Sequence, residues 1–135
     1  MAQQIAEQAA RCLIVEDSAF DREKLSRVMR KTRQGLKIEQ VSTLRAARRA
    51  LERAGTALIL LDNNLPDGLG ADFAQELASD PDLCKIPVIM VSDWPSPFMW
   101  EKAASAGVAY VLSKTEFDGR YVRAALEGKR ARQLN

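Results

Sequence analysis

Five times along this chain a short apolar run gives way to a segment with helical spacing, and that alternation constrains the fold more than any single residue. The runs are Arg11–Val15, Leu36–Val41, Ala57–Leu61, Ile86–Val91 and Val108–Ser113. They are too short for typical helices and are bounded by turn-forming residues, so they read as buried strands. A helix over about Ser18–Thr32 keeps Leu25, Val28, Met29 and Thr32 on one side and stops near Gly35. Ser42 or Thr43 can cap the next, whose inner face is Leu44, Ala47, Leu51 and Ala54, with Gly55 at its end. Leu69–Ala78, Phe98–Ala106 and Glu116 to about Arg130 complete the set. Strands and helices alternating at this spacing predict parallel βαβ units with right-handed crossovers. The expected fold is an α/β, doubly wound (βα)5 flavodoxin-like sandwich around a five-stranded parallel sheet of order 2-1-3-4-5.

A chain of 135 residues suits one domain, expected over 11–130 between an N-terminal extension (1–10) and a short C-terminal tail (131–135). No apolar stretch approaches a membrane span, and Met1-Ala2-Gln3-Gln4 lacks a signal-peptide pattern, so the expectation is a cytoplasmic protein with no membrane partner. The chain has no histidine, which argues against a zinc site or a histidine-dependent triad. Cys12 and Cys84 adjoin predicted strands without a CxxC pattern and read as buried, reduced thiols. The net charge is only +2, yet arginine and lysine crowd the first, second and last helices. Solvated helix faces account for them, and no DNA-binding motif or aromatic interleaving accompanies them.

The topology brings polar residues from four strand ends to one rim. Glu16 and Asp17 follow the first strand, Asp62 the third, Ser92 the fourth and Lys114 the fifth. Carboxylates held close repel one another, so cations must offset them. Lys114 is one, and a magnesium ion, which prefers oxygen ligands and keeps open positions, is the natural second. Such a site suits a phosphoryl group. With no P-loop or glycine-rich dinucleotide turn, the remaining acceptor is a carboxylate nucleophile, and Asp62 sits centrally between the acid pair and Ser92.

These residues resemble the CheY-like receiver domain of two-component response regulators. The resemblance runs from Arg11 to about Arg130. It is carried by Leu13-Ile14-Val15-Glu16-Asp17, by Leu60-Leu61-Asp62-Asn63-Asn64-Leu65-Pro66-Asp67-Gly68, by Pro87-Val88-Ile89-Met90-Val91-Ser92, and by Gly107 with Lys114 seven positions later. It implies that Asp62 is phosphorylated by a histidine kinase or histidine phosphotransfer protein. It also implies that Asp17 and Asp62 ligate Mg2+ (or Mn2+) directly, Glu16 mostly through water, and Asn64 through its backbone carbonyl. Ser92 and Lys114 would hold phosphoryl oxygens and report the modification. The expected protein is not an enzyme beyond dephosphorylating itself; it acts on a downstream protein target, as a monomer or weak dimer, with no DNA-binding domain.

Three positions depart from the family pattern. A small residue usually follows the hydroxyl, but here Asp93 and then Trp94 do, beside a loop stiffened by Pro95 and Pro97. The usual switch aromatic falls at Val111; Tyr110 is adjacent but belongs to the other face of its strand. The usual proline after the lysine is Thr115. With Asn63 and Asn64 at the acceptor's flank, Asp93, Trp94 and Val111 are candidate modulators. They leave two expectations open: Trp94 and Trp100 packed over the sheet end, or a switch that works by rearranging this loop. Two other function classes compete. One is a pseudo-receiver binding module that does not switch by phosphorylation, favoured by Asp93 and Val111. The other is a dehalogenase-type aspartyl-phosphate phosphatase, which needs an aspartate where this chain has Asn64.

Overall fold

The computed structural model describes residues 10–128. Nearly all of the expected N-terminal extension, the end of the last helix and the C-terminal tail lie outside that range. The elements run β1 (Arg11–Val15), α1 (Ala19–Thr32), β2 (Lys37–Val41), α2 (Leu44–Leu51), β3 (Thr56–Leu61), α3 (Gly70–Ala78), β4 (Val88–Ser92), α4 (Pro97–Ser105), β5 (Tyr110–Ser113) and α5 (Gly119–Leu126). The five strands pair in parallel in the order β2-β1-β3-β4-β5. This is the expected doubly wound α/β sheet. No helix among the described residues is long and apolar enough to cross a membrane.

The period-two geometry of the strands divides the core in two. Leu13, Val15, Ile59, Leu61 and Met90 pack with Leu44, Ala47, Phe73, Leu77, Met99 and Ala103, which places α2, α3 and α4 on one face. Cys12, Ile14, Leu58, Leu60 and Ile89 pack with Leu25, Met29, Val122 and Ala125, which places α1 and α5 on the other. A strand buried on both faces carries no polar residue until it ends, so the first polar side chain after β1 and β3 emerges at the carboxyl rim.

Helix ends follow local chemistry, and here several expectations are corrected. Ser18 caps α1 by accepting from the Asp21 amide, and Thr43 caps α2 by accepting from Ala46. Ala54 is exposed rather than inward, because α2 stops at Leu51 and tightens into i→i+3 bonds from Glu52 and Arg53. The last helix begins at Gly119, not Glu116. Glu116 instead closes a turn, its carboxylate accepting from the Ser113 amide while its own amide donates to the Ser113 hydroxyl, and Asp118 is the cap. Cys84 is exposed in a 3-10 turn (Leu83–Lys85), whereas Cys12 is buried and its thiol is pushed up to about 12 by desolvation. Trp94 is 89% exposed and Trp100 is half-exposed, so neither is packed over the sheet end.

After β3 the chain makes a small hairpin, Asn64–Leu65 against Gly68–Leu69, before entering α3. Asp67 ties this hairpin to α2 by accepting from the Leu44 and Arg45 amides. Gly70 then passes so close to β3 that a Cβ there would lie 2.1 Å from the Asp62 carbonyl oxygen. The obstacle is backbone and cannot swing aside. Gly70→Ala is therefore expected to destabilise the domain by about 1–3 kcal/mol, as overpacking does. Urea titration measures this; a wild-type midpoint would contradict it.

Candidate functional site

Three of the other four strand-end residues named from sequence, Glu16, Asp17 and Lys114, gather around Asp62. One carboxylate oxygen from each of Glu16, Asp17 and Asp62 lies within 4.8 Å of the other two, with Glu16 and Asp62 buried and Asp17 exposed. Lys114 Nζ stands 2.9 Å from Glu16 Oε1 and 4.0 Å from Asp62 Oδ2. Ser92 ends β4, is buried, and accepts the Lys114 amide through its carbonyl oxygen. That bond fixes the start of the β5–α5 turn against the hydroxyl-bearing residue.

Neighbouring groups hold the acids in position. The Ser18 amide donates to Glu16 Oε2, and the Arg22 guanidinium donates to the carbonyl oxygens of Glu16 and Asp17. Asp62 Oδ1 accepts the Asn63 amide at 2.8 Å. The Asn63 side chain is directed away from the acids, accepting the Ala71 amide at the start of α3. Asn64 is exposed in the hairpin.

Asp93 is largely exposed and turned toward the lysine, its Oδ2 3.7 Å from Lys114 Nζ. Val111 packs into the α2–α3–α4 side of the core. Tyr110 belongs to the opposite side, edge-on to Tyr121 at 5.2 Å, as strand alternation requires. Thr115 is exposed beside the rim.

One member of the cluster escapes the sequence reading. Asp21, in the first turn of α1, accepts from Lys114 Nζ at 2.8 Å. Counting Asp21, four carboxylates face one ammonium: Glu16, Asp21, Asp62 and Asp93. Burial, together with the charge imbalance, displaces the buried acids from their ordinary ranges. Desolvation, then the Glu16 charge, pushes Asp62 up to about 7, against the opposing pull of Lys114 and the Asn63 amide. Burial also drives Glu16 above its ordinary value, despite Lys114 and the Ser18 amide. Burial disfavours the Lys114 charge, but Asp21 and Glu16 outweigh it and leave the ammonium above its usual range.

Glu16 Oε1 is buried and makes no well-aligned hydrogen bond, although the Lys114 ammonium is near. A cluster of three oxygen donors with a surplus of negative charge fits a hard divalent cation.

Comparison with known proteins identifies the family and the fold. A model of the response regulator receiver domain matches residues 12–127. The two-component response regulator ORR3 of Oryza sativa subsp. indica is 28% identical over 106 residues, spanning 76% of this chain and 77% of its own. The signal receiver domain of a signal transduction histidine kinase from Syntrophus aciditrophicus aligns with TM-score 0.72 and 28% identity, over 91% of this chain and 89% of that one. Chemotaxis protein CheY4 of Vibrio cholerae shares the fold at TM-score 0.73 and 23% identity, over 88% and 97% of the two chains. The chain belongs to the family of response regulator receiver domains.

Proposed function

We propose that this receiver domain is a phosphoacceptor that takes a phosphoryl group onto Asp62 from a phosphohistidine of a histidine kinase or histidine phosphotransfer protein. One observation carries the reading: a buried carboxylate at a strand end, crowded by two further acids, with a lysine ammonium at 4.0 Å. An Asp62 oxygen attacks phosphorus, the phosphorus–nitrogen bond breaks, and the donor ring, already protonated on its other nitrogen, leaves as a neutral imidazole. Water attacking the resulting acyl phosphate returns the free carboxylate.

The residues that would hold Mg2+, or Mn2+ in its place, are Asp17 and Asp62 directly, Glu16 through water and the Asn64 backbone carbonyl. When bound, the ion offsets the carboxylate charge and polarises phosphoryl oxygens. That offset favours Asp62 as a nucleophile, since burial and then the Glu16 charge otherwise push it up to about 7. Ser92 and Lys114 supply the hydroxyl and the ammonium for phosphoryl oxygens. Their shift toward the phosphoryl group alters the β4–α4 loop and the β5 end, where output would leave through protein–protein contacts. In the cytoplasm, the compartment expected for such a module, this is a signalling role.

The direct test is incubation with magnesium and acetyl phosphate, followed by intact-mass measurement. We expect one phosphoryl adduct, stable in acid and labile in base, and its sharp reduction by a chelator. An unmodified protein would return the domain to the binding-module class.

A further inference from the structure

We infer that Asp21 is a positioning residue that holds the Lys114 ammonium away from Asp62 and so opposes its engagement with a phosphoryl group. The inference rests on the phosphoacceptor reading and deepens it. An ammonium has three donors. In this structure Lys114 stands at hydrogen-bonding distance from Asp21 Oδ2 (2.8 Å) and Glu16 Oε1 (2.9 Å), while Asp93 at 3.7 Å and Asp62 at 4.0 Å lie beyond that range. The lysine is thus committed to the α1 side of the site.

The four acids around Lys114 differ in what else can neutralise them. Glu16 and Asp62 belong to the cluster able to bind a cation. Asp93 has a side chain 65% exposed and is screened by water. Asp21 lies outside the metal cluster, its side chain is only 20% exposed, and its one ion pair among the described residues is with Lys114. It is also held in place, because its amide donates to the Ser18 hydroxyl at the start of α1. Loading the site with a cation therefore relieves Glu16 but leaves Asp21 competing with the phosphoryl group for the same ammonium. Removing the Asp21 charge, while keeping an oxygen that can accept from Lys114, frees that ammonium for the phosphoryl position.

Asp21→Asn tests this with beryllofluoride as the phosphoryl mimic at fixed magnesium. Binding is expected to tighten about 5-fold or more, a typical coupling between interacting sites. Glu23→Gln, which removes an exposed acid of the same helix paired, among the described residues, with Arg27 and Arg30, is expected to leave binding unchanged. A second readout needs no metal or phosphate. In the metal-free protein, the nitrogen resonance of the Lys114 ammonium should shift in Asp21→Asn and stay in place in Glu23→Gln. A folded Asp21→Asn protein that binds beryllofluoride as the wild type does, or more weakly, would overturn the inference, as would an unmoved lysine resonance. A wild type that binds no beryllofluoride and accepts no phosphoryl group would instead defeat the phosphoacceptor reading. The pairing of Asp21 with Lys114 would then still be judged by the metal-free resonance.

Discussion

Asp62→Asn is expected to take up no phosphoryl group from acetyl phosphate and, without metal at pH 8, to be more stable than the wild type. Both effects follow from one carboxylate. Asparagine lacks the nucleophilic oxygen pair but keeps the shape and an acceptor for the Asn63 amide. The stability effect comes from proton linkage. Folding raises Asp62 from about 4 to about 7, chiefly through desolvation and the neighbouring Glu16 charge. Between those values the folded protein binds more protons than the unfolded chain, so the Asp62 contribution to stability falls as pH rises and is lowest above 7. At 1.36 kcal/mol per pKa unit the penalty is roughly 4 kcal/mol, which amounts to several degrees in Tm. The advantage of Asp62→Asn should shrink toward pH 4, where the folded Asp62 is protonated and the unfolded one is protonated in part, and magnesium should narrow it by stabilising the wild type more. Calorimetry at pH 4 and pH 8, with and without magnesium, reads all of this. Equal Tm values at pH 8 without metal would show that the acid cluster is not strained, and a phosphoryl adduct on Asp62→Asn would place the acceptor elsewhere.

The part of this site that is legible in the sequence is the part that topology alone specifies. Glu16, Asp17, Asp62 and Ser92 each end, or directly follow, an apolar run. In a parallel sheet every such end lies on the same rim, whatever the loops do. The opposite faces of Val111 and Tyr110 are legible for a similar reason, since side chains alternate along any strand. Asp21 is not legible in this way. It sits three residues after the cap Ser18, where an acid is ordinarily accounted for by capping and by the helix dipole. Its partner lies across the sheet, at the end of β5, and only the packed structure brings the two together. Ala54 and Cys84 fail for a different reason. Helical spacing continues through Ala54 although the hydrogen bonds of α2 have already tightened and ended, and Cys84 belongs to a short 3-10 turn that no apolar period announces. Periodicity reports which face a residue would occupy if the element continued, not where the element stops.

Lys114→Ala tests the opposite side of the same charge balance. The Lys114 side chain is 9% exposed and, among the described residues, is the one cation in ion pairs with the carboxylates of Glu16, Asp21, Asp62 and Asp93. Removing one partner of a buried ion pair leaves the other charge desolvated and unpaired, a loss of about 3–5 kcal/mol. The loss should be largest at pH 8 without metal, where the most carboxylates are ionised. It should diminish at pH 5, because Glu16 and Asp62, both already displaced upward, can take up protons in place of the missing ammonium. Adding Asp62→Asn to Lys114→Ala should recover part of the stability, since one of the stranded charges disappears. A double-mutant cycle therefore isolates the coupling across the 4.0 Å gap. Urea midpoints of the four proteins at the two pH values measure it. A Lys114→Ala protein as stable as the wild type at pH 8 would mean that water, not Lys114, solvates these acids. The ammonium would then have no part in holding the resting site together, and its place at the rim would be explained by its engagement with a phosphoryl group alone.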